Sequence, residues 1–253
     1  MPELSVCVEM VFKGVPFTER ISLAAAAGAD AVEFWGWRDK DLDAVANACD
    51  EHDLNVAAML GSDVPLTDPT RTSEARRSMR DSIETAARLG CSTLIITVGQ
   101  EQADIDHPTQ RDAIVDSLES VAPDAADASV TLAVEPLNTA VDHPGYFLES
   151  SAEGYDIVDT IGDSNVKLLF DVYHQQITEG NVIANMTSHL DHIGYVHIAD
   201  VPGRHEPGTG ELDYGNILPT LAAAGYDGYI GCEFSPEGDD AAAVSDCRAI
   251  LNG

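Results

Sequence analysis

The sequence predicts a single-domain (β/α)8 barrel, a TIM barrel, over residues 1–253. Three observations carry this expectation. Short apolar runs alternate with helical periods eight times along the chain. The links between them are short, as in a barrel built from repeated strand and helix pairs. The run Thr93–Val98 is apolar and β-branched throughout, as strands of a parallel sheet covered on both faces are. The competing arrangement is an open doubly wound sheet, whose phosphate fingerprint GxGxxG is absent from the sequence.

Taken in order, the first strand falls near Leu4–Val8 and its helix runs from Phe17 to a stop at Gly28. The second strand is Ala31–Phe34, with a helix from Asp39 to His52. The third is Asn55–Met59; a longer loop through Pro65 and Pro69 leads to a helix from Ser73 to Leu89, with Gly90 placed to cap it. Thr93–Val98 is followed by Pro108–Val121, and Thr131–Glu135 by a Pro- and Gly-rich loop and a helix near Ala152–Ile161. Val166–Asp171 leads through a polar turn to a short helix near Val182–His189. Gly194–Ile198 pairs with Ile217–Ala224, and Gly228–Phe234 with the closing helix Asp240–Leu251.

Composition narrows the function classes. Apolar residues make up 44% and charged residues 23%, an ordinary globular balance. The charge itself is extreme: 44 acidic against 13 basic residues give a net charge of −31, spread along the whole chain. Such self-repulsion destabilises a compact state at low salt, and ~1 M salt screens it within about 3 Å. A halophilic cytoplasm is therefore expected, the alternative being a merely acidic enzyme. Nucleic acid is disfavoured as a partner, because its binders replace counterions with basic side chains. Cys7, Cys49, Cys91, Cys232 and Cys247 are widely spaced and form no CxxC, which points to reduced core thiols rather than disulfides or structural zinc. The sequence shows no signal peptide and no run long enough to span a membrane, so a soluble cytoplasmic chain is expected; assembly into a homo-oligomer is left open.

In such barrels the chemistry gathers at the C-terminal ends of the strands. Four ends are informative: Glu135 (AVEPLN), Asp171 (LLFDVYHQQ), His197 (YVHIAD) and Glu233 (GCEF). With 44 acids in 253 residues one carboxylate at a strand end is unremarkable. Three, each ending an apolar run on neighbouring strands and joined by an imidazole, form a ligand set. Their donors suit Mg²⁺ or Mn²⁺, and also accept Co²⁺ or Zn²⁺. Without pairing or a metal, buried charges of this kind would each cost several kcal/mol, about. Arg204 is the cation best placed to meet a substrate carboxylate, the alternative being an ion pair with Glu206 or Glu211. His174 is read as a donor to a substrate oxygen or as a structural histidine. Glu33, with Trp35 and Trp37, ends the second strand; it reads as a buried structural carboxylate, the alternative being a wall of the pocket. His189 and His192 read as surface residues, and Gly208 and Gly210 as part of a tight turn.

The motifs VEPLN at 134–138, FDVYHQQ at 170–176, HIADVPGRHEPGTGELDY at 197–214 and CEF at 232–234 together resemble the xylose isomerase-like barrels. Within them, the long loop motif resembles the hydroxypyruvate isomerase family. The resemblance covers nearly the whole chain. It implies one divalent metal ion on Glu135, Asp171, His197 and Glu233, with Glu135 and Glu233 as the acid and base that flank the substrate. The YHxQ pattern (Tyr173, His174, Gln176) favours a substrate-binding role for His174. The implied substrate is a small hydroxy-oxo acid, hydroxypyruvate, isomerised to 2-hydroxy-3-oxopropanoate by enediolate proton transfer. His197 stands where some hydroxypyruvate isomerases carry Gln, as it does in the sugar isomerases and epimerases. A ketose 3-epimerase or other sugar isomerase on the same ligands therefore stays open, as does an inosose dehydratase-like lyase. An endonuclease IV-type phosphodiesterase would need further His and Asp ligands and a basic surface, and the sequence supplies neither.

Overall fold

The computed structural model describes residues 1–252 and has eight parallel strands closed into a barrel in sequence order. The strands are β1 (Glu3–Cys7), β2 (Ala31–Phe34), β3 (Asn55–Leu60), β4 (Thr93–Ile96), β5 (Thr131–Val134), β6 (Val166–Asp171), β7 (Ile193–Ile198) and β8 (Tyr229–Cys232). The helices are α1 (Phe17–Ala26), α2 (Leu42–Glu51), α3 (Thr72–Leu89), α4 (His107–Asp127), α5 (Ser151–Ile161), α6 (Val172–Thr178), α7 (Val182–Ser188), α8 (Tyr214–Ala224) and α9 (Asp240–Asn252). β1 pairs with both β2 and β8, so the sheet has no free edge.

Alternation along each strand builds two cores. Val32, Phe34, Val56, Leu94, Ile96, Leu132, Val134, Leu168, Phe170 and Val196 point outward and pack under the helices. Their neighbours Ala31, Ala57, Ala58, Ile95, Ala133, Leu169 and Tyr195 point inward as a smaller cluster. Alanine dominates this inner layer, and small side chains leave room inside the barrel for larger polar ones nearer the mouth.

Helix starts follow capping chemistry. Asp41, Asp106 and Ser150 each accept a backbone N–H of the first turn of α2, α4 and α5. At the other end, Gly90 takes φ +67° and closes α3 as expected.

Two expectations need correction. The polar turn after Asp171 is a helix, α6, whose first residue follows the strand directly. Asp171 Oδ1 accepts the N–H groups of Tyr173 (2.8 Å) and His174 (3.1 Å), and this cap starts the helix without any linker. Helix α4 does not stop at Val121 but runs through Pro123 to Asp127. Proline forfeits one hydrogen bond there, yet burial of Val121, Ala122 and Ala125 holds the extra turn in place.

Candidate active site

Glu135 and Glu233 each follow the last residue of their strands, Asp171 ends β6, and His197 is the next-to-last residue of β7. All four are buried. Each of them offers one ligand atom, and these four atoms lie within 4.8 Å of one another. His197 Nδ1 is the hub: it lies 3.4 Å from Glu233 Oε2, 3.5 Å from Glu135 Oε1 and 3.9 Å from Asp171 Oδ2. Asp171 divides its carboxylate, with Oδ1 capping α6 and Oδ2 facing the cluster.

This donor set fits a divalent cation. Glu135 Oε1 and His197 Nδ1 are buried with no hydrogen-bond partner, a costly condition unless something else meets them. Three carboxylate oxygens and one imidazole nitrogen, converging in a buried mouth, are what such an ion requires.

The remaining residues surround this centre. Arg204 Nη2 donates to Glu233 Oε2 at 2.5 Å and lies 4.0 Å from Asp171 Oδ2, while its guanidinium sits 5.4 Å from the Tyr173 ring centroid. The pairing with Glu206 or Glu211 considered from sequence does not form; Arg204 leans inward instead, where its Nε is buried without a partner. Trp35 Nε1 donates to Glu233 Oε1 at 3.1 Å, so each oxygen of Glu233 is held by a different donor.

His174 is fully buried. Asn138 Oδ1 accepts from the N–H groups of Val141 and Asp142, which turns its Nδ2 toward Asp142 Oδ2 and His174 Nδ1 (2.7 Å). His174 Nδ1 therefore accepts, its proton sits on Nε2, and that nitrogen lies 3.6 Å from Asp171 Oδ2. Burial lowers the pKa of His174 and keeps the ring neutral. His189 is exposed and His192 half-buried, outside the site, as expected.

Electrostatics separate the two glutamates. Burial pushes Glu135 up to about 7, only partly offset by its contact with His197. Burial acts on Glu233 in the same direction, but the charges of His197 and Arg204 outweigh it and hold the carboxyl at about 2.

Sequence reading under-weighted three side chains. Glu33 contacts His197 Nε2 from across the barrel at 2.9 Å. Trp35 grips Glu233, and Asn138 sets the tautomer of His174. Glu33 carried the one usable signal, a lone acid inside the apolar strand AVEF.

A closed parallel barrel with three carboxylates and one imidazole gathered at its C-terminal mouth defines the class. The chain belongs to the xylose isomerase-like TIM barrel family, which it matches over residues 21–251. It is 32% identical to a 2-oxo-tetronate isomerase of Cupriavidus necator, covering 99% of each chain. It is 31% identical to the hydroxypyruvate isomerase of Escherichia coli, covering 94% of this chain and 95% of that one. Among solved structures, a Brucella melitensis chain described as an AP endonuclease of family 2 superposes with a TM-score of 0.92 at 31% identity, covering 98% of this chain and 99% of that one.

Proposed function

We propose that this protein is a divalent-metal-dependent isomerase that interconverts a small 2-oxo acid bearing a neighbouring hydroxyl with its carbonyl-shifted isomer. For hydroxypyruvate the product is 2-hydroxy-3-oxopropanoate. The observation that carries the reading is the buried cluster of Glu135, Asp171, His197 and Glu233, in which Glu135 Oε1 and His197 Nδ1 have no hydrogen-bond partner. The names of the Cupriavidus and E. coli relatives support the substrate class.

Glu135, Asp171, His197 and Glu233 would hold the metal, which would supply positive charge to offset the negative charge that develops on the substrate during proton transfer. Arg204 faces the same mouth and binds the substrate carboxylate through its fork of N–H donors. His174 offers Nε2–H to a substrate oxygen. One glutamate takes the proton from the hydroxyl-bearing carbon, giving an enediolate, and the other returns a proton to the former carbonyl carbon. Over the whole reaction one proton moves between neighbouring carbons and one between their oxygens. Trp35 and Arg204 fix the orientation of Glu233 during this exchange.

The relative named as a 2-oxo-tetronate isomerase favours a second reading, in which a four-carbon acid is the preferred substrate for the same chemistry. Endonuclease action, the description of the Brucella chain, suits this protein less well. Its net charge of −31 opposes a DNA backbone, and the described residues contain one ligand cluster rather than several.

Proton NMR of the Mn²⁺-activated reaction, quenched and freed of metal, tests the reading with hydroxypyruvate and 2-oxo-tetronate in D₂O. Deuterium is expected at the carbon that receives the proton. Turnover without deuterium uptake would replace the glutamates with a direct hydrogen shift. Glu135→Gln and Glu233→Gln should each lower kcat by about 10²–10⁴ with the fold retained. Near-normal kcat in either variant removes that residue from the proton path.

A further inference from the structure

We propose that Glu33 is a positioning residue that fixes which nitrogen of His197 faces the three carboxylates, with Tyr195 and Gly231 completing the device. The inference rests on the metal-site reading above and deepens it. Glu33 lies on β2, separated from β7 by two strands, β8 and β1, along the shorter way around the barrel wall. Its neighbours Val32 and Phe34 belong to the outer core, so Glu33 points into the barrel. Tyr195 and His197 share the inward face of β7 and meet it there.

The contacts are specific. Glu33 Oε1 lies 2.9 Å from His197 Nε2, both side chains being about 1% exposed; the contact is a short ion pair rather than an aligned hydrogen bond. Tyr195 Oη donates to the other oxygen, Oε2, which stops the carboxylate from turning away. With Nε2 occupied on this side, Nδ1 is the nitrogen presented to Glu135, Asp171 and Glu233. A carboxylate on the remote nitrogen of a ligating imidazole fixes its tautomer and ring orientation and raises its basicity.

Two further observations argue against a merely space-filling Glu33. Among the described residues His197 is the only cationic partner within ion-pairing distance, so the carboxylate sits buried in an interior otherwise lined largely by alanine. An apolar residue would serve packing better there. Space is also reserved for the pair: a Cβ on Gly231 of β8 would lie 2.5 Å from Glu33 Oε2 and 2.7 Å from His197 Cδ2. Any side chain at 231 would push the two apart.

Calorimetric titration with Mn²⁺, alongside thermal unfolding of the metal-free chain, tests this. Glu33→Leu fills the space without the carboxylate. It leaves the buried Tyr195 hydroxyl and His197 Nε2 without an acceptor, so it should lower Tm, and it should weaken Mn²⁺ binding about ten- to a hundredfold in the chain that remains folded. Glu33→Gln retains an acceptor for Nε2–H and should recover part of that loss. Tyr195→Phe, which removes one hydroxyl, should weaken binding severalfold and carries the test if Glu33→Leu does not fold. The visible spectrum of the Co²⁺-loaded Glu33→Gln chain should shift from that of the unsubstituted protein. Mn²⁺ affinities within twofold of the unsubstituted protein in the folded variants would overturn the role of Glu33 and leave the metal site standing. An unsubstituted chain that binds no Mn²⁺ would overturn both.

Discussion

Glu135 and Glu233 are the same side chain at equivalent places one residue past a strand, and their surroundings drive them apart. Glu135, raised by burial to about 7, contributes stability that is full below its ordinary 4.5 and is lost as pH rises through 7. Glu233, held at about 2 against burial by His197 and Arg204, contributes stability that is present above 4.5 and lost only as pH falls toward 2. The metal-free chain should therefore lose Tm between pH 5 and 7, and Glu135→Gln should remove part of that fall. Saturating Mn²⁺ should flatten the same interval, because a ligating Glu135 must already be ionised. Calorimetry at the two pH values checks this, and a Tm that rises over the interval in the metal-free chain contradicts it. At this scale the four cluster residues were legible because each interrupts an apolar run where a strand must end. The pairings of Glu33 with His197 and of Arg204 with Glu233 were not, since they join distant strands and loops that only barrel closure brings together.

The loop after β7 shows how an element is held without regular structure. Asp200 is fully buried; its Oδ1 accepts from the N–H of Val201 (2.9 Å) and Leu212 (3.0 Å), and its Oδ2 from Gly208 (2.9 Å). Its own N–H donates to the carbonyl of His205, and its carbonyl accepts from the N–H of Arg204. Gly210 is required by closeness, since a Cβ there would stand 2.1 Å from the Val201 carbonyl oxygen. One aspartate thus organises the loop that carries Arg204. Asp200→Ala would remove the acceptor of three loop donors, that of Leu212 buried, and should cost about 1–3 kcal/mol in urea unfolding, with a raised KM for carboxylate substrates. An unchanged KM would separate loop order from Arg204 placement. The glycines and prolines here announced a loop, but its inner hydrogen bonding was not readable from their spacing. Helix α6 was missed for a related reason: its cap is also a strand's last residue, so no break marks where one element ends and the next begins.

Across the whole molecule, acids outnumber bases so heavily that the arginines cannot balance them. Arg38, Arg71, Arg80, Arg111 and Arg248 already face Asp63, Glu74, Asp124, Asp156 and Asp30. The rest of the excess is left to solvent and ions. Raising KCl from 0.1 to 2 M should increase Tm through screening, and a flat or falling Tm would show that self-repulsion does not limit this fold. No helix among the described residues is long and apolar enough to cross a membrane. The barrel was the most legible feature of all, because eight repeats of one pattern average out errors at any single boundary. Strand ends drifted by a residue or two where an apolar run outlasts its hydrogen bonds, as after Ile96 and Cys232.

The divided carboxylate of Asp171 has a consequence for how this sequence can drift. One oxygen begins a helix and the other faces the cluster, so two selective demands fall on a single codon. Asn would keep the cap and forfeit the charge; Glu would keep the charge and, one methylene longer, misplace the cap. Position 171 is thereby closed to both of its nearest chemical neighbours. The start of α6, with His174 on it, is tied to the same side chain and cannot wander from the cluster as the surrounding loops diverge.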